Sequence, residues 1–506
     1  MMRSKMESDR ISERLLMGGQ WIWLILLYGI IVVALGIMIS KAFFAVLLLP
    51  FLIYGIYQLA KKDKLLPERF PYGMAWWIIF GVGTIVMIVV AYSVRVESLS
   101  WDWGKVIRSA SEYVLTGNLQ DKVYFARYPN NQFWYCILVV VFKIVHFFWP
   151  TAVLEQFYLV SIALGSSMAA STIALLHHIA GLLWNQRRAF AVGLMAWFCV
   201  PLYMWAMYAY TDTAGMLVLM VLLYLFFKAW RCEKAWEYIL YLCLFGFVAA
   251  IAFALKVTVF IFVIACVIAL VLQRKSWKKV WIGLLLVGIF FGFGKGVTGT
   301  VVNHVIPLED EFCDQYEFPL THWIMMSLDY GGYRQEDVDF TQQFPSYEEK
   351  KEANLREIKK RLNKRNILGN MQFFFYDKQN RTWGDSTFSG CDYLSREPKN
   401  PDGFLERFVT TEGDLNWIIV VYSTLYYALL LVGLLISALC AVKKKGRKHP
   451  LFVGRLAMIG IALFMTIWEC NSRYLVVFLP LMILLSGEGY FGLRSYCKDK
   501  KGDDLN

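Results

Sequence analysis

The chain has 506 residues, 58% of them hydrophobic and 17% aromatic, well above the roughly 45–50% apolar content of soluble domains, so a soluble globular enzyme is excluded. Its net charge of +12 would suit a nucleic-acid binder, but the basic residues fall in short loops between apolar runs, the pattern that orients a polytopic membrane protein. The ten cysteines show no CxxC and no metal-ligand spacing, and most lie inside apolar runs as small packing residues.

A bilayer span needs about 20 apolar residues. Such runs fall near 21–39, 43–60, 73–95, 133–149, 189–209, 213–230, 236–255, 257–272, 280–302, 416–441, 450–467 and 475–492. The basic loops Lys61-Lys62-Asp63-Lys64, Arg187-Arg188, Arg231 with Lys234, Arg274-Lys275 with Lys278-Lys279, Lys443 to Lys448, and Lys498 to Lys501 are therefore assigned to the cytoplasm. For Arg187-Arg188 to lie inside, the apolar stretch 151–185 must cross twice as two short helices, or dip in and return. The expected fold is an all-α polytopic membrane protein of about 12–14 transmembrane helices, fourteen by this count, with both ends cytoplasmic. No cleavable signal is visible, because the first apolar run lacks a small-residue cleavage site and a second span follows at once.

In chain order, residues 1–95 give a polar start, a helical hairpin turning near Ser40-Lys41 and a third span. The external loop 96–132 carries Asp102 just past a span's end, then an amphipathic helix from Asp102 to Leu115 with Val106, Ile107, Ala110 and Val114 on one face, lying along the membrane surface. It returns to the bilayer through Arg127 and the turn Tyr128-Pro129-Asn130-Asn131. His177-His178 is read as a helix-end pair. Tyr210-Thr211-Asp212 and Lys256-Val257-Thr258 place ionisable residues at outward-facing span ends, where a charge is costly unless paired or wet and so marks a functional candidate.

The segment 303–415 divides the chain into an N-terminal transmembrane region (1–302), an external loop domain and C-terminal helices with a cytoplasmic tail (416–506). It holds a charged helix from Ser346 to Arg365 between Pro345 and Gly369, a His322-Trp323 pair, and Cys313 and Cys391, two cysteines on one side of the membrane and thus free to pair. Its mix of polar and aromatic residues suits a carbohydrate-binding surface. At the last outer corner, Trp468 to Tyr474, Glu469 and Arg473 are four apart, the spacing of a helix-end ion pair.

The order of these motifs on one side of the membrane resembles the GT-C superfamily of membrane glycosyltransferases, which includes protein O-mannosyltransferases and aminoarabinose transferases. The likeness runs over roughly residues 73–490. The resemblance implies a polyprenyl-phosphate sugar as donor, an acceptor outside the cytoplasm, inversion at the sugar carbon, and the first-loop carboxylate, here Asp102, as general base. Arg127, Tyr128, Asn130, Tyr210, Asp212, Lys256, Arg473 and Tyr474 are the expected substrate-binding residues. Where the family often has a second acidic residue beside the first, this chain has Trp103 and Gly104, which leaves Glu112 and Asp121 as substitute bases.

The chemistry asks for the same parts. Displacing a lipid phosphate from a sugar needs one base for the acceptor hydroxyl and cations for the charge growing on the phosphate, and Arg127, Lys256 and Arg473 map to the outer face. Asp102 as a helix N-cap, Asp212 as an N-cap, and Lys256 and Arg473 snorkelling to headgroups are the competing structural readings. A transporter or flippase of a lipid-linked glycan, or a polysaccharide polymerase or ligase using a lipid-diphosphate donor, are the competing functions. No cofactor is expected, a divalent metal stays open, and nucleic acid is not a partner.

Overall fold

The computed structural model describes residues 2–61, 67–97, 99–273, 276–443 and 449–503. Of the basic loops, Lys62 to Lys64, Arg274-Lys275 and Lys444 to Lys448 lie outside the described residues. What is described is almost wholly helical. The one β-like pairing among the described residues is an isolated bridge between Val96 and Pro398.

Nine described helices are long and apolar enough to cross a membrane, one bent pair joins them if counted as a span, and three shorter helices are apolar as well. The first is α1 (Met2–Lys61), which breaks at Ala42, where φ is −150° and ψ 56°. Its first limb, Arg10–Phe43, reaches the end of the bundle where Ile37 meets Gly384. Its second limb, Val46–Ile56, runs back beside Ile436, Tyr490 and Leu493. The hairpin expected near Ser40-Lys41 is thus present, one residue later. Next come α2 (Tyr72–Ser93), α3 (Trp101–Thr116), α4 (Lys122–Arg127), α5 (Gln132–Phe148) and α6 (Leu154–Leu183).

The stretch 151–185 departs from expectation. It forms one 30-residue helix, α6, not two short ones. The parity is restored by α5, which does not cross. Near its start Trp134 donates to the Ala209 carbonyl at 3.0 Å, and near its end Phe142 and His146 pack on Phe157 at the head of α6. The next residue, Tyr158, donates to Val96 O at 2.7 Å. Both ends of α5 therefore lie at the same end of the bundle. Its buried face, including Tyr135, Leu138 and Phe142, is covered by protein, so its hydrophobicity reflects a core contact as much as a lipid one.

After α6, α7 (Gln186–Trp197) and α8 (Val200–Ala206) make one passage bent by 61°. Then α9 (Thr211–Arg231), α10 (Ala235–Leu255), α11 (Val257–Leu272) and α12 (Trp277–Val305) follow as tight hairpins. Helices Asn416–Lys443, Phe452–Ile467 and the run Ser472–Leu493 close the bundle. With α5 set aside, eight long helices, the bent pair and the three short apolar helices give twelve passages among the described residues. Close approach needs small side chains: a Cβ on Gly489 would stand 2.0 Å from the Gly433 carbonyl of the facing helix.

The described members of the basic loops and their neighbours meet at one end. Arg231 bonds the Leu182 carbonyl, Tyr238 bonds that of Lys279 at 2.9 Å, and His449 N bonds Gln273 at 2.7 Å. The opposite end carries α3, α4, α5 and the helical segment between α12 and Asn416. In that segment the charged stretch forms Tyr347–Lys364, its N-cap Ser346 accepting from Glu349 N at 3.3 Å. Cys313 and Cys391 are both free.

Candidate active site

The site grows from the first turn of α3. Ser100 is its N-cap in extended conformation and no side chain caps the helix, so Asp102 is not a cap. Trp101 takes a left-handed φ of 51°, rare for a bulky residue and a form of strain that collects at functional sites. Trp103 is fully buried, its ring 5.0 Å from that of Tyr208 and 5.8 Å from Tyr158. At Gly104 a Cβ would come within 2.0 Å of the Leu99 carbonyl. A second acidic residue at either place is excluded, at Trp103 by burial among rings and at Gly104 by backbone.

Asp102 itself is half-buried. Its Oδ1 accepts from the Tyr124 hydroxyl at 2.9 Å. That hydroxyl accepts from Asn131 Nδ2 at 2.7 Å, and Asn131 Oδ1 accepts from the Tyr210 hydroxyl at 2.8 Å. Every donor in this chain points toward Asp102, the terminal acceptor. Burial raises the Asp102 carboxyl above the ordinary aspartate range, partly offset by Arg473, the Tyr124 bond, Lys105 and Lys256.

Two buried cations face it. Lys256, in the break between α10 and α11, places Nζ 2.6 Å from Asp212 Oδ1 in the first turn of α9. Arg473 donates through Nη1 to the Tyr393 hydroxyl at 2.8 Å, while its Nε stands 3.8 Å from Asp212 Oδ2, an ion pair without a hydrogen bond. Its guanidinium lies 5.2 Å from the rings of Trp101, Tyr393 and Tyr474. Lys256 is 8% exposed and Asp212 0%, so both are paired inside the protein, neither snorkelling nor capping.

The corner Trp468 to Tyr474 differs from the expected ion pair. Arg473 turns to Asp212 and Tyr393, and Glu469 instead accepts from the Tyr474 hydroxyl at 3.0 Å. Burial raises the Glu469 carboxyl, with Arg473 and the Tyr474 bond opposing. The corner is clamped from the 306–415 segment. Cys470 N bonds the Gly331 carbonyl at 2.7 Å, buried Lys378 bonds the Trp468 carbonyl at 2.8 Å, and Ser389 bonds Asn471 at 3.0 Å and Ser472 at 2.6 Å.

Among the anticipated residues, Asp102, Tyr210, Asp212, Lys256, Arg473 and Tyr474 converge. Arg127 does not join them: it donates to Gln342 at 2.8 Å and lies over Phe318. Tyr128 packs on Trp323 and Phe318 yet still feels the Asp102 charge, which with burial lifts its phenol to about 12. Asn130 reaches Asn131 Oδ1 at 3.3 Å. Asp121 is engaged by Ser109 at 2.9 Å, and Glu112 lies ten residues along α3, roughly 15 Å of helix rise away. Sequence reasoning missed Tyr124, Asn131 and Tyr393; only the first two lie in the loop already singled out. His177 stacks on Trp76 at 3.7 Å. No cluster of three or more His, Cys, Asp or Glu able to hold a metal occurs among the described residues.

The family described as conserved hypothetical integral membrane protein matches residues 37–488. The chain belongs to this family. Its site residues from Asp102 to Tyr474 all fall inside the matched region. No curated protein matches the chain by sequence. Among solved structures it is similar to ArnT from Cupriavidus metallidurans bound to undecaprenyl phosphate, at 12% identity over 85% of this chain and 79% of that one, with a TM-score of 0.34. The same protein in the apo state aligns at 13% identity over 86% and 79%, again with a TM-score of 0.34.

Proposed function

We propose that this integral membrane protein is a glycosyltransferase of GT-C type, moving a sugar from a polyprenyl-phosphate-linked donor to an acceptor on the site's face, which is the face away from the cytoplasm. The observation that carries this reading is the half-buried Asp102, with Oδ1 held by Tyr124 and Oδ2 making no hydrogen bond among the described residues, beside two buried cations at a helix-bundle end. Lipid headgroups and their phosphates sit at that depth.

Asp102 Oδ2 takes the proton of the acceptor hydroxyl as its oxygen attacks the sugar carbon. The bond from that carbon to the phosphate oxygen breaks on the opposite side, inverting the centre, and its electron pair leaves with the polyprenyl phosphate. Lys256, with one of its three N–H groups spent on Asp212, has others for the phosphate, and Arg473 Nε has no hydrogen-bond partner among the described residues. Cations fixed in a low-dielectric site stabilise such charge without reorganising. One base suffices, because phosphate leaves without protonation. The ionisable cluster at the helix ends speaks against transport, where sites lie near the bilayer midplane.

The test is sugar transfer in membranes supplied with radiolabelled polyprenyl-phosphate sugars, comparing wild type with Asp102→Asn. Loss of transfer with donor still bound supports the reading. Full activity in the variant moves the base elsewhere. Transfer from lipid-diphosphate donors alone would indicate a polymerase or ligase, and no transfer by wild type with any donor a transporter.

A further inference from the structure

At the end of the bundle opposite the site, a cleft lies between α9, α10, α11 and α12. Its walls are apolar: Phe226, Leu242, Phe245, Cys266, Leu270 and Val287. Its mouth is not. Exposed Ser276 and Lys279 and half-buried Tyr238 line the opening, and the fully buried Gln273 forms part of the wall.

Gln273 separates this cleft from a simple packing gap. It is 0% exposed. Its Oε1 accepts from His449 N at 2.7 Å, while its Nε2 has no hydrogen-bond partner among the described residues. A buried amide donor without an acceptor is rare in native proteins. Beside it the Lys279 ammonium is exposed and makes no ion pair among the described residues, lying 5.7 Å over the Tyr238 ring. Next to lining residues in sequence stand Arg231, Lys234 and Lys278 against Glu233 and Glu237, and Glu237 pairs with Lys234 at 3.6 Å. The opening therefore offers a cation, a hydroxyl and an orphaned donor above an apolar slot.

We infer that this cleft binds an anionic phospholipid of the leaflet on the basic side, with its phosphate on Lys279, Gln273 Nε2 and Ser276 and an acyl chain in the slot. An anionic leaflet draws basic residues near its surface, and the slot removes the chain from contact with other lipids. The bound lipid wedges α9 against α10 and α11. Those helices hold Asp212 and Lys256 at their far ends, so the lipid braces the frame that carries the buried ion pair.

The experiment is native mass spectrometry of the full-length protein equilibrated with phosphatidylglycerol or phosphatidylcholine. Wild type should retain phosphatidylglycerol over phosphatidylcholine by roughly fivefold or more, given the usual attraction of one well-placed lysine. Gln273→Glu keeps the acceptor for His449 N but replaces the free donor with a buried charge of the wrong sign; combined with Lys279→Gln it should erase the preference, and Lys279→Gln alone, at an exposed side chain, should cut the preference severalfold without lowering the unfolding temperature. Leu242→Trp, which fills the slot, should lose both lipids, with Leu284, another residue of the cleft wall, changed to Phe (Leu284→Phe) as a second filler if that variant does not fold. Lys234→Gln with Lys278→Gln, on the rim outside the cleft, should keep the preference. Equal retention of both lipids by wild type, survival of the preference in the Gln273/Lys279 variant, or its loss in the rim control would each overturn the inference.

Discussion

Lys256 Nζ and Asp212 Oδ1 stand 2.6 Å apart, joining the α10–α11 break to the first turn of α9 where almost no water reaches. Removing one member of a buried pair strands the other charge, at a cost of about 3–5 kcal/mol, whereas replacing both with apolar residues is often neutral. Asp212→Leu alone should lower the unfolding temperature in detergent sharply. Asp212→Leu with Lys256→Met should recover the share that belongs to Lys256 but not that of Arg473, which also loses Asp212, while sugar transfer stays at least roughly a hundredfold down. Recovery of both stability and transfer would make the pair purely structural.

A base must be ionised to accept a proton, so transfer should fall as pH drops through the Asp102 pKa, and that limb should lie above the range of an exposed aspartate because burial raises it. The Tyr124 bond favours the ionised form. Tyr124→Phe should therefore move the acid limb further up, by roughly one to two pH units for a hydrogen bond to a charged group. A pH–rate profile with donor saturating checks this; a lower rate with an unmoved limb would count against Asp102 as the titrating group.

Gly104→Ala should yield little folded protein, since its methyl would overlap the Leu99 backbone, which cannot move aside as a side chain can. Gly292→Ala on α12, with nothing within 4 Å of the added carbon, should express at wild-type level and be equally or slightly more stable, as alanine favours a helix by about 1 kcal/mol over glycine. Fluorescence-detected size exclusion separates the two outcomes.

His322 is buried with Nδ1 2.7 Å from Thr341 Oγ1, and burial together with Arg127 and Arg361 pulls its pKa down to about 3. In the unfolded chain it would titrate near 6.5. Between these values the unfolded state holds the extra proton, so the contribution to stability is complete above pH 6.5 and declines as pH falls toward 3, by about 1.4 kcal/mol per pH unit. His322→Gln should flatten that slope in unfolding midpoints measured from pH 7 to 4.

The charged half of the site was legible because an ionisable residue at a span's end is conspicuous: Asp102, Asp212, Lys256 and Arg473 each interrupt an apolar pattern. Tyr124 and Asn131 carry no such mark. They matter because α4 folds back on α3, a tertiary event that leaves no local period. Arg127 was conspicuous for the same reason as Lys256, yet its side chain is drawn away by Phe318 and Gln342, which lie some two hundred residues later in sequence. Of the basic loops, the described Arg187-Arg188 and Arg231 with Lys234 flank the ends of α6 and α9 that meet where Arg231 bonds the Leu182 carbonyl. They misled over 151–185, because a surface helix, α5, is as apolar as a crossing one when protein covers part of it.

The direction of the hydrogen bonds from Tyr210 through Asn131 and Tyr124 has a consequence for how the proposed enzyme cycles. Each link already donates toward Asp102, and the amide of Asn131 cannot hand a proton backward. A proton collected on Asp102 cannot retreat along these links and leaves from Oδ2, to water or to the departing phosphate, so each turnover resets the base from the substrate side.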